Sequence, residues 1–166
     1  DISRVANIMP PLGLASISAY LTAGGYRNDI IDCYAHPDSD DRIIAYLRVE
    51  KPAFIGFSCT TSSFFDGERL ARLAKSIRPG IQTVFGGVHV SAVKEEVLDN
   101  YPVIDYAVVG EGEETLRELL ATPAERRAEV EGLVLRGTDG KAVFTEKNKK
   151  LLDLDSLPFP DYTKLA

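Results

Sequence analysis

The sequence lacks several features that mark common classes of protein. Its 166 residues include no Trp, one Met and two Cys, and 19 Lys and Arg stand against 25 Asp and Glu, for a net charge of −6. Nucleic-acid-binding domains usually carry a basic stripe, and none is visible, so we expect no nucleic-acid partner. Cys33 and Cys59 each fall inside a strand-like run. This placement argues against a disulfide framework and favours a reducing cytosol.

Long hydrophobic runs are missing as well. The longest apolar stretches are strand-sized, which predicts neither a membrane span nor a signal peptide. A chain of this length with 45% hydrophobic residues can bury the core of one α/β domain. We therefore expect a cytoplasmic protein with no membrane partner.

Strand-like apolar runs alternate with helical patterns along the first part of the chain. The runs are 29–34, 53–58, 81–87 and 104–110, and helical patterns precede, separate and follow them. Such alternation predicts an α/β fold, a Rossmann-like doubly wound parallel sheet with helices on both faces. After Pro123 the pattern changes, and a turn at Asp139-Gly140 between apolar runs predicts a β-hairpin.

Three segments follow from this pattern. Residues 1–122 are expected to form the Rossmann-like domain, 123–150 a β-hairpin appendage, and 151–166 an extended tail that links to a further domain. The chain enters a helix at Pro10 with no strand ahead of it, whereas doubly wound domains normally open with a strand. We therefore expect the first strand to be missing or trimmed. A missing strand would expose a sheet edge, through which the fragment could form a homodimer.

The candidate site lies where the predicted strands end, because ligands of open parallel sheets bind outside the carboxyl ends of the strands. Hydroxyls and glycines are frequent there, and charged groups are few. This set of residues is poorly suited to acid–base catalysis but suits the binding of a large ligand with many amide and phosphate acceptors. The candidate ligand-binding residues are Asp32, Tyr34, Ser58, Thr60, Thr61, Ser62, Gly86, Gly87, His89, Gly110, Glu111 and Gly112.

Simpler structural roles compete with ligand binding at these positions. Ser62 or Ser63 could cap the next helix, and the Gly86-Gly87 pair could merely allow close packing. Glu111 could serve a helix dipole. Cys33, His36, Cys59 and His89 all fall near strand ends, but their spacing matches no common zinc pattern, so we expect no metal site.

Six segments in this order resemble the cobalamin (B12)-binding domain of B12-dependent radical S-adenosylmethionine (SAM) enzymes. They are "PPLGLASISAYLTAGGY", "IIDCYA", "KPAFIGFSCTTSS", "VFGGVHVSA", "IDYAVVGEGEETLRELL" and "DLDSLPFPDY". The resemblance implies cobalamin spread over the strand ends. The D-x-H-x-x-G motif of other B12 domains, whose His ligates cobalt, is incomplete here because Tyr34 and Pro37 stand at the His and Gly positions. The radical SAM branch generally lacks that His too.

The resemblance also implies a longer parent enzyme. Its radical SAM domain, in the same polypeptide, would carry a [4Fe-4S] cluster on C-x-x-x-C-x-x-C and bind SAM for methyl transfer or cyclase-type chemistry. That cysteine motif is absent from this sequence, so the fragment alone is expected to hold and present cobalamin without catalysis. Two alternatives are a flavodoxin-like or receiver-like signalling module and a fragment of a nucleotide-binding Rossmann enzyme. The first lacks an Asp at the end of 53–58, and the second lacks a visible G-x-G-x-x-G.

Overall fold

A computed structural model describes residues 10–146 and 157–165. Six helices and five strands make up its regular structure, together with two 3₁₀ helices. The helices are α1 (Leu12–Ala23), α2 (Ser39–Val49), α3 (Phe64–Ile77), α4 (Val88–Val93), α5 (Glu95–Asn100) and α6 (Glu113–Ala121). The strands are β1 (Phe54–Ser58), β2 (Gln82–Gly86), β3 (Tyr106–Val108), β4 (Leu133–Arg136) and β5 (Ala142–Phe144), and the 3₁₀ helices are Ala124–Glu129 and Tyr162–Leu165.

One five-stranded sheet organises the fold, with the order β1-β2-β3-β4-β5. The first three strands are parallel, and β1 and β2 pair in a register that runs from Phe54 opposite Gln82 to Ser58 opposite Gly86. The hairpin of β4 and β5 forms as predicted, and β4 pairs antiparallel with β3. The predicted α/β class is confirmed, and the hairpin extends the same sheet.

Helices cover both faces of the sheet, as predicted. On one face Phe57, Phe85 and Ala107 share a core with residues of α3, α4 and α5. On the other face Val84 and Val108 pack with residues of α6 and of β4. The two faces alternate along each strand because successive side chains point in opposite directions.

The predicted strand at 29–34 was wrong. Residues 29–32 are irregular, residues 33–35 form a turn, and none of them pairs with a strand of the sheet. An isolated strand has no ladder of hydrogen bonds to hold it extended. Although β1 is an edge strand of the sheet, no hydrogen-bond ladder among the described residues joins residues 29–34 to it.

The segment 157–165 returns to α1. The Asp161 N–H donates to the Ala15 carbonyl (3.3 Å), and Lys164 Nζ donates to Thr22 Oγ1 (2.9 Å) and to the Asn28 carbonyl (3.1 Å). The predicted tail is thus fixed beside α1 over its described part. Residues 151–156 of the tail lie outside the described residues. Residues 1–9 do as well, and the expectation of a missing first strand concerns that end of the chain.

Phe85 is central to the core. It is 0% exposed, and its ring centroid lies 4.8 Å from that of Phe57 and 5.8 Å from that of Phe64. We predict that Phe85→Ala lowers the free energy of unfolding by about 3–5 kcal/mol, because it leaves a cavity between strand and helix. The control Phe159→Ala, at a side chain that is 95% exposed, should change it by less than about 0.5 kcal/mol. Urea unfolding of both variants measures this, and equal losses would contradict the packing described.

Candidate functional site at the carboxyl ends of the strands

The loops that follow β1 and β2 start side by side. Ser58 pairs with Gly86 at the last position of the parallel register. The Cys59 N–H then donates to the Gly86 carbonyl (3.0 Å), which extends the pairing one residue past β1. The sheet thus brings the predicted site residues of these two loops to one edge.

A cluster of hydroxyls fills the turn between β1 and α3. Thr60 Oγ1 lies 3.0 Å from Ser62 Oγ and 3.1 Å from Ser63 Oγ, and the Thr60 N–H donates to Ser63 Oγ (3.0 Å). Ser63 occupies the N-cap position of α3 but makes no side-chain capping bond. The capping role considered for these serines is therefore not the one they play, and Thr60, Thr61 and Ser62 remain exposed.

His89, in the first turn of α4, reaches this cluster. Its Nδ1 lies 3.3 Å from Thr61 Oγ1, and its ring centroid lies 4.5 Å from that of Phe64 in the core. The imidazole is half-buried. Its packing on Phe64 leaves one side of the ring beside the exposed hydroxyls, so two predicted site residues that follow different strands are adjacent.

Gly87 has a conformation that explains why a glycine directly follows β2. It has φ of +99°, and a Cβ built on it would lie 2.5 Å from the Cys59 carbonyl oxygen. That backbone conformation is rare for residues with a side chain. Gly86 is different, since its Cβ would meet only the Val108 carbonyl oxygen, at 3.9 Å. Close packing therefore accounts for Gly87, and the space around Gly86 is free.

Ser91, in α4, links Gly87 to the loop after β3, a role that our sequence analysis missed. Its Oγ donates to the Gly87 carbonyl (3.0 Å) and accepts from the Gly110 N–H (3.0 Å). The available signal was its spacing, because a serine four residues after the first residue of a helical turn often bonds back to that residue's carbonyl.

The third loop, Gly110 to Gly112, is fixed by its glycines and by a buried acid. Gly110 has φ of +77° and open space around it, whereas a Cβ on Gly112 would lie 3.3 Å from Ile17 Cδ1 of α1. Glu113 is buried and accepts a hydrogen bond from Ser16 Oγ (2.7 Å). Sequence analysis missed this link between α1 and α6. Glu111 is exposed at the edge.

Asp32 and Tyr34 stand apart from the other site residues. The Asp32 carboxylate accepts from the Tyr34 N–H (2.9 Å) and the Ala35 N–H (3.3 Å), which closes a turn. The Tyr34 side chain is 72% exposed. Among the described residues, no hydrogen bond joins this turn to the hydroxyl cluster, because the segment is outside the sheet.

Burial lowers the reactivity of the Cys59 thiol. The thiol is buried between β1 and α3, and this burial raises its pKa from 9.0 to about 11. It stays protonated at neutral pH and is no nucleophile there. Because the pKa of Cys59 is raised in the folded state, the protonated thiol contributes to the free energy of unfolding. That contribution is fully present below about pH 9 and is lost as the pH rises towards 11. Within residues 10–146 and 157–165 no three His, Cys, Asp or Glu side chains gather as they would around a metal.

Exposed apolar side chains accompany the polar groups of the edge. Phe65 at the start of α3 is 68% exposed and Val88 at the start of α4 is 70% exposed. Exposed apolar groups mark a binding surface when they form one contiguous patch. Neutral hydrogen-bonding groups beside apolar ones can hold a large, mostly uncharged ligand.

Comparison with known proteins identifies the family. A model of the B12 binding domain matches residues 1–120. The chain belongs to the B12-binding domain family.

Relatives of this B12-binding domain are much longer proteins. It is 32% identical to the anaerobic magnesium-protoporphyrin IX monomethyl ester cyclase of Rubrivivax gelatinosus, over 96% of the chain and 30% of the cyclase. It is 34% identical to the cobalamin-dependent radical SAM methyltransferase TokK of Streptomyces tokunonensis, over 75% of the chain and 21% of TokK. The chain thus spans about a third or less of these relatives.

A solved structure supports the fold. The apo form of the cobalamin-dependent S-adenosylmethionine radical enzyme OxsB matches with a TM-score of 0.72 and 21% identity, over 90% of this chain and 21% of OxsB. The predicted family is confirmed, in preference to the flavodoxin-like or receiver-like module and the fragment of a nucleotide-binding Rossmann enzyme. No helix among the described residues is long and apolar enough to cross a membrane.

The contact between Gly87 and Cys59 gives a stability prediction. Gly87→Ala should lower the free energy of unfolding by about 2 kcal/mol, since the methyl group meets backbone atoms at a strained φ. The control Gly80→Ala, where a Cβ would meet nothing within 4 Å, should change it by at most about 1 kcal/mol. Urea unfolding compares the two. If Gly87→Ala left the free energy of unfolding unchanged, the close contact between Gly87 and the Cys59 backbone would be contradicted.

The two thiols should differ in reactivity. Cys33 is exposed and Cys59 is buried, so we predict that Ellman's reagent at pH 8 modifies Cys33 rapidly and Cys59 only after unfolding. The Cys33→Ser variant isolates the buried thiol, and Cys59→Ala isolates the exposed one. Rapid reaction of the folded Cys33→Ser variant would contradict the burial of Cys59.

Proposed function

We propose that this domain binds cobalamin across the carboxyl ends of β1, β2 and β3. The observation that carries the proposal is the edge itself, where exposed hydroxyls, glycine backbone and apolar side chains from three loops meet in a chain of the B12-binding family. Cobalamin is a large ring with amide side chains and a phosphate-bearing tail. Its many neutral acceptors match the neutral donors of this edge.

Different residues would meet different parts of the cofactor. The hydroxyls of Thr60, Thr61 and Ser62 can donate to amide or phosphate oxygens. At present Thr60 contacts Ser62 and Ser63, and Thr61 contacts His89. The open backbone at Gly86 and Gly110 allows close approach. Phe65 and Val88 offer apolar contact to the ring. Ser58, His89, Glu111 and Gly112 complete the proposed set, whereas Gly87 acts by positioning the loop.

This domain would give cobalt no protein imidazole. Tyr34 stands at the position of the ligating His, and its phenol is exposed. His36 is half-buried two residues further on, and His89 is engaged with Thr61 and Phe64. When bound, cobalamin supplies a cobalt centre that can carry a methyl group or exchange electrons. The domain's own part is to hold the ring, orient it and leave its outer face open.

In the parent protein the cofactor would be presented to a radical SAM domain of the same polypeptide. That domain would carry a [4Fe-4S] cluster and SAM, and the reaction would be methyl transfer or a cyclase-type oxidation. The relatives' lengths support this proposal, since two thirds or more of each lies outside the match. We also propose that the protein works in the cytoplasm, where iron–sulfur clusters and free thiols persist.

Titration with hydroxocobalamin tests cobalamin binding directly. We expect saturable changes in visible absorption, with a base-off-like spectrum, because the domain would hold the nucleotide tail away from cobalt and supply no imidazole in its place. Ser62→Trp places a large ring among the exposed hydroxyls and should weaken binding at least about tenfold. The control Ser76→Trp adds the same ring at an exposed site in the last turn of α3, at the opposite end of the sheet, and should leave binding unchanged.

Two results would overturn the proposal. One is that the domain shows no saturable binding of hydroxocobalamin although circular dichroism shows that it is folded. The other is equal weakening by the two tryptophan variants, which would place the cofactor away from the strand ends.

A further inference from the structure

Residues 157–165, which we call the strap, lie along α1 and are attached to it by few contacts. None of them is buried, and the side chains of Phe159 and Tyr162 are 95% and 50% exposed. Among the described residues, one backbone hydrogen bond joins the strap to the rest of the domain, from the Asp161 N–H to the Ala15 carbonyl (3.3 Å). A segment with so little buried surface opens at a low cost in free energy.

One side chain of the strap makes a second, stronger attachment. Lys164 Nζ lies 2.9 Å from Thr22 Oγ1, 3.1 Å from the Asn28 carbonyl oxygen and 3.1 Å from Asn28 Oδ1. An ammonium group carries three N–H donors, so each of the three oxygens can accept one hydrogen bond from it. All three oxygens are uncharged. We call this arrangement of Thr22 and Asn28 the ammonium cradle.

Bonds within the domain orient the cradle without any contribution from the strap. Asn28 Oδ1 accepts from Ser18 Oγ (2.5 Å), and Asn28 Nδ2 lies 3.0 Å from the Tyr26 carbonyl oxygen and 3.1 Å from Thr22 Oγ1. The Thr22 hydroxyl donates to the Ser18 carbonyl (2.8 Å). Because both cradle side chains are held in this way, the cradle is a preformed site for a single primary ammonium group.

The cradle also lies at the start of the segment that leads to Asp32. Residues 29–32 are irregular and join no ladder of the sheet, so side-chain contacts hold them in place. The Asp32 carboxylate closes the turn at the far end by accepting from the Tyr34 N–H. Lys164 bonds to both the carbonyl and the side chain of Asn28 at the near end. Attachment of the strap therefore adds to the order of this segment.

We propose that residues 157–165 alternate between an attached and a detached state, and that Lys164 in the ammonium cradle determines which state is populated. The attached strap orders residues 28–32 and so fixes the Asp32 side of the candidate site. The coupling is reciprocal, so whatever orders 28–32 also favours the attached strap. This inference concerns contacts within the chain and does not depend on cobalamin. Its failure and the failure of the proposed function are therefore separate results.

Nitrogen-15 relaxation measured without cobalamin tests the strap. The variant Lys164→Met keeps an apolar stem and removes all three donors. We expect the backbone order parameters of 157–165 to fall from about 0.85, the value of a rigid backbone, to below about 0.6, because one long backbone hydrogen bond remains. Those of 28–32 should fall as well, by a smaller amount.

A second variant separates the shape of the cradle from the charge of the lysine. Lys164→Arg keeps the positive charge, but no guanidinium nitrogen carries more than two N–H groups, so it cannot serve three oxygens that converge on one atom. We expect it to release the strap as Lys164→Met does. The control Lys141→Met, at an exposed lysine beside the hairpin turn, removes one charge away from the strap and should leave both segments unchanged.

Three results would overturn the proposal. The order parameters of 157–165 could stay unchanged in Lys164→Met, which would show that other contacts hold the strap. Lys164→Arg could retain the attached strap fully, which would show that the cradle recognises charge alone. Finally, the strap could be released while 28–32 keep their order, which would remove the link to the turn at Asp32.

Discussion

The close approach of Gly87 to the Cys59 backbone holds the binding edge together. Only a glycine with positive φ lets the loop after β2 lie against the loop after β1 at this distance. With these loops in contact, His89 reaches Thr61, and Ser91 reaches both Gly87 and Gly110. The ends of β1, β2 and β3 therefore form one surface, and this surface depends on the absence of a side chain at Gly87.

The two sides of the candidate site are held by different forces. The hydroxyl cluster and the glycine loops follow strands that are paired in the sheet. Asp32 and Tyr34 belong to a turn held by its own carboxylate, next to a groove that runs along the unpaired edge of β1. Sheet pairing thus fixes the strand ends of β1 to β3, whereas among the described residues no strand lies beside the turn at Asp32.

Local sequence patterns predicted most of the fold because the helices and strands here carry clear periodicity. The strands β1, β2 and β3 and the hairpin formed where apolar runs and turn residues indicated them. The prediction of a strand at 29–34 was wrong because strand pairing is not a local property, and no partner for this segment is found among the described residues. Residues 29–34 have the composition of a strand but no ladder to join.

The site was only partly predictable, for a similar reason. Hydroxyls and glycines at strand ends could be found by position, since parallel strands bring their carboxyl ends together. The separate role of each of these residues could not be predicted from the sequence. Gly87 serves packing while Gly86 has open space, and Ser63 supports Thr60 and caps no helix. Ser91 and Glu113 were missed because their partners, Gly110 and Ser16, are distant in sequence.

Backbone amide spectra offer the most direct test of cobalamin binding at the strand ends. The experiment records nitrogen–proton correlation spectra of the labelled domain before and after addition of hydroxocobalamin. The account predicts that the shifted or broadened signals belong to residues 58–62, 86–89 and 110–112, and that those of the β4–β5 hairpin keep their positions. Changes confined to the hairpin or to the 3₁₀ helix at Ala124–Glu129 would contradict it.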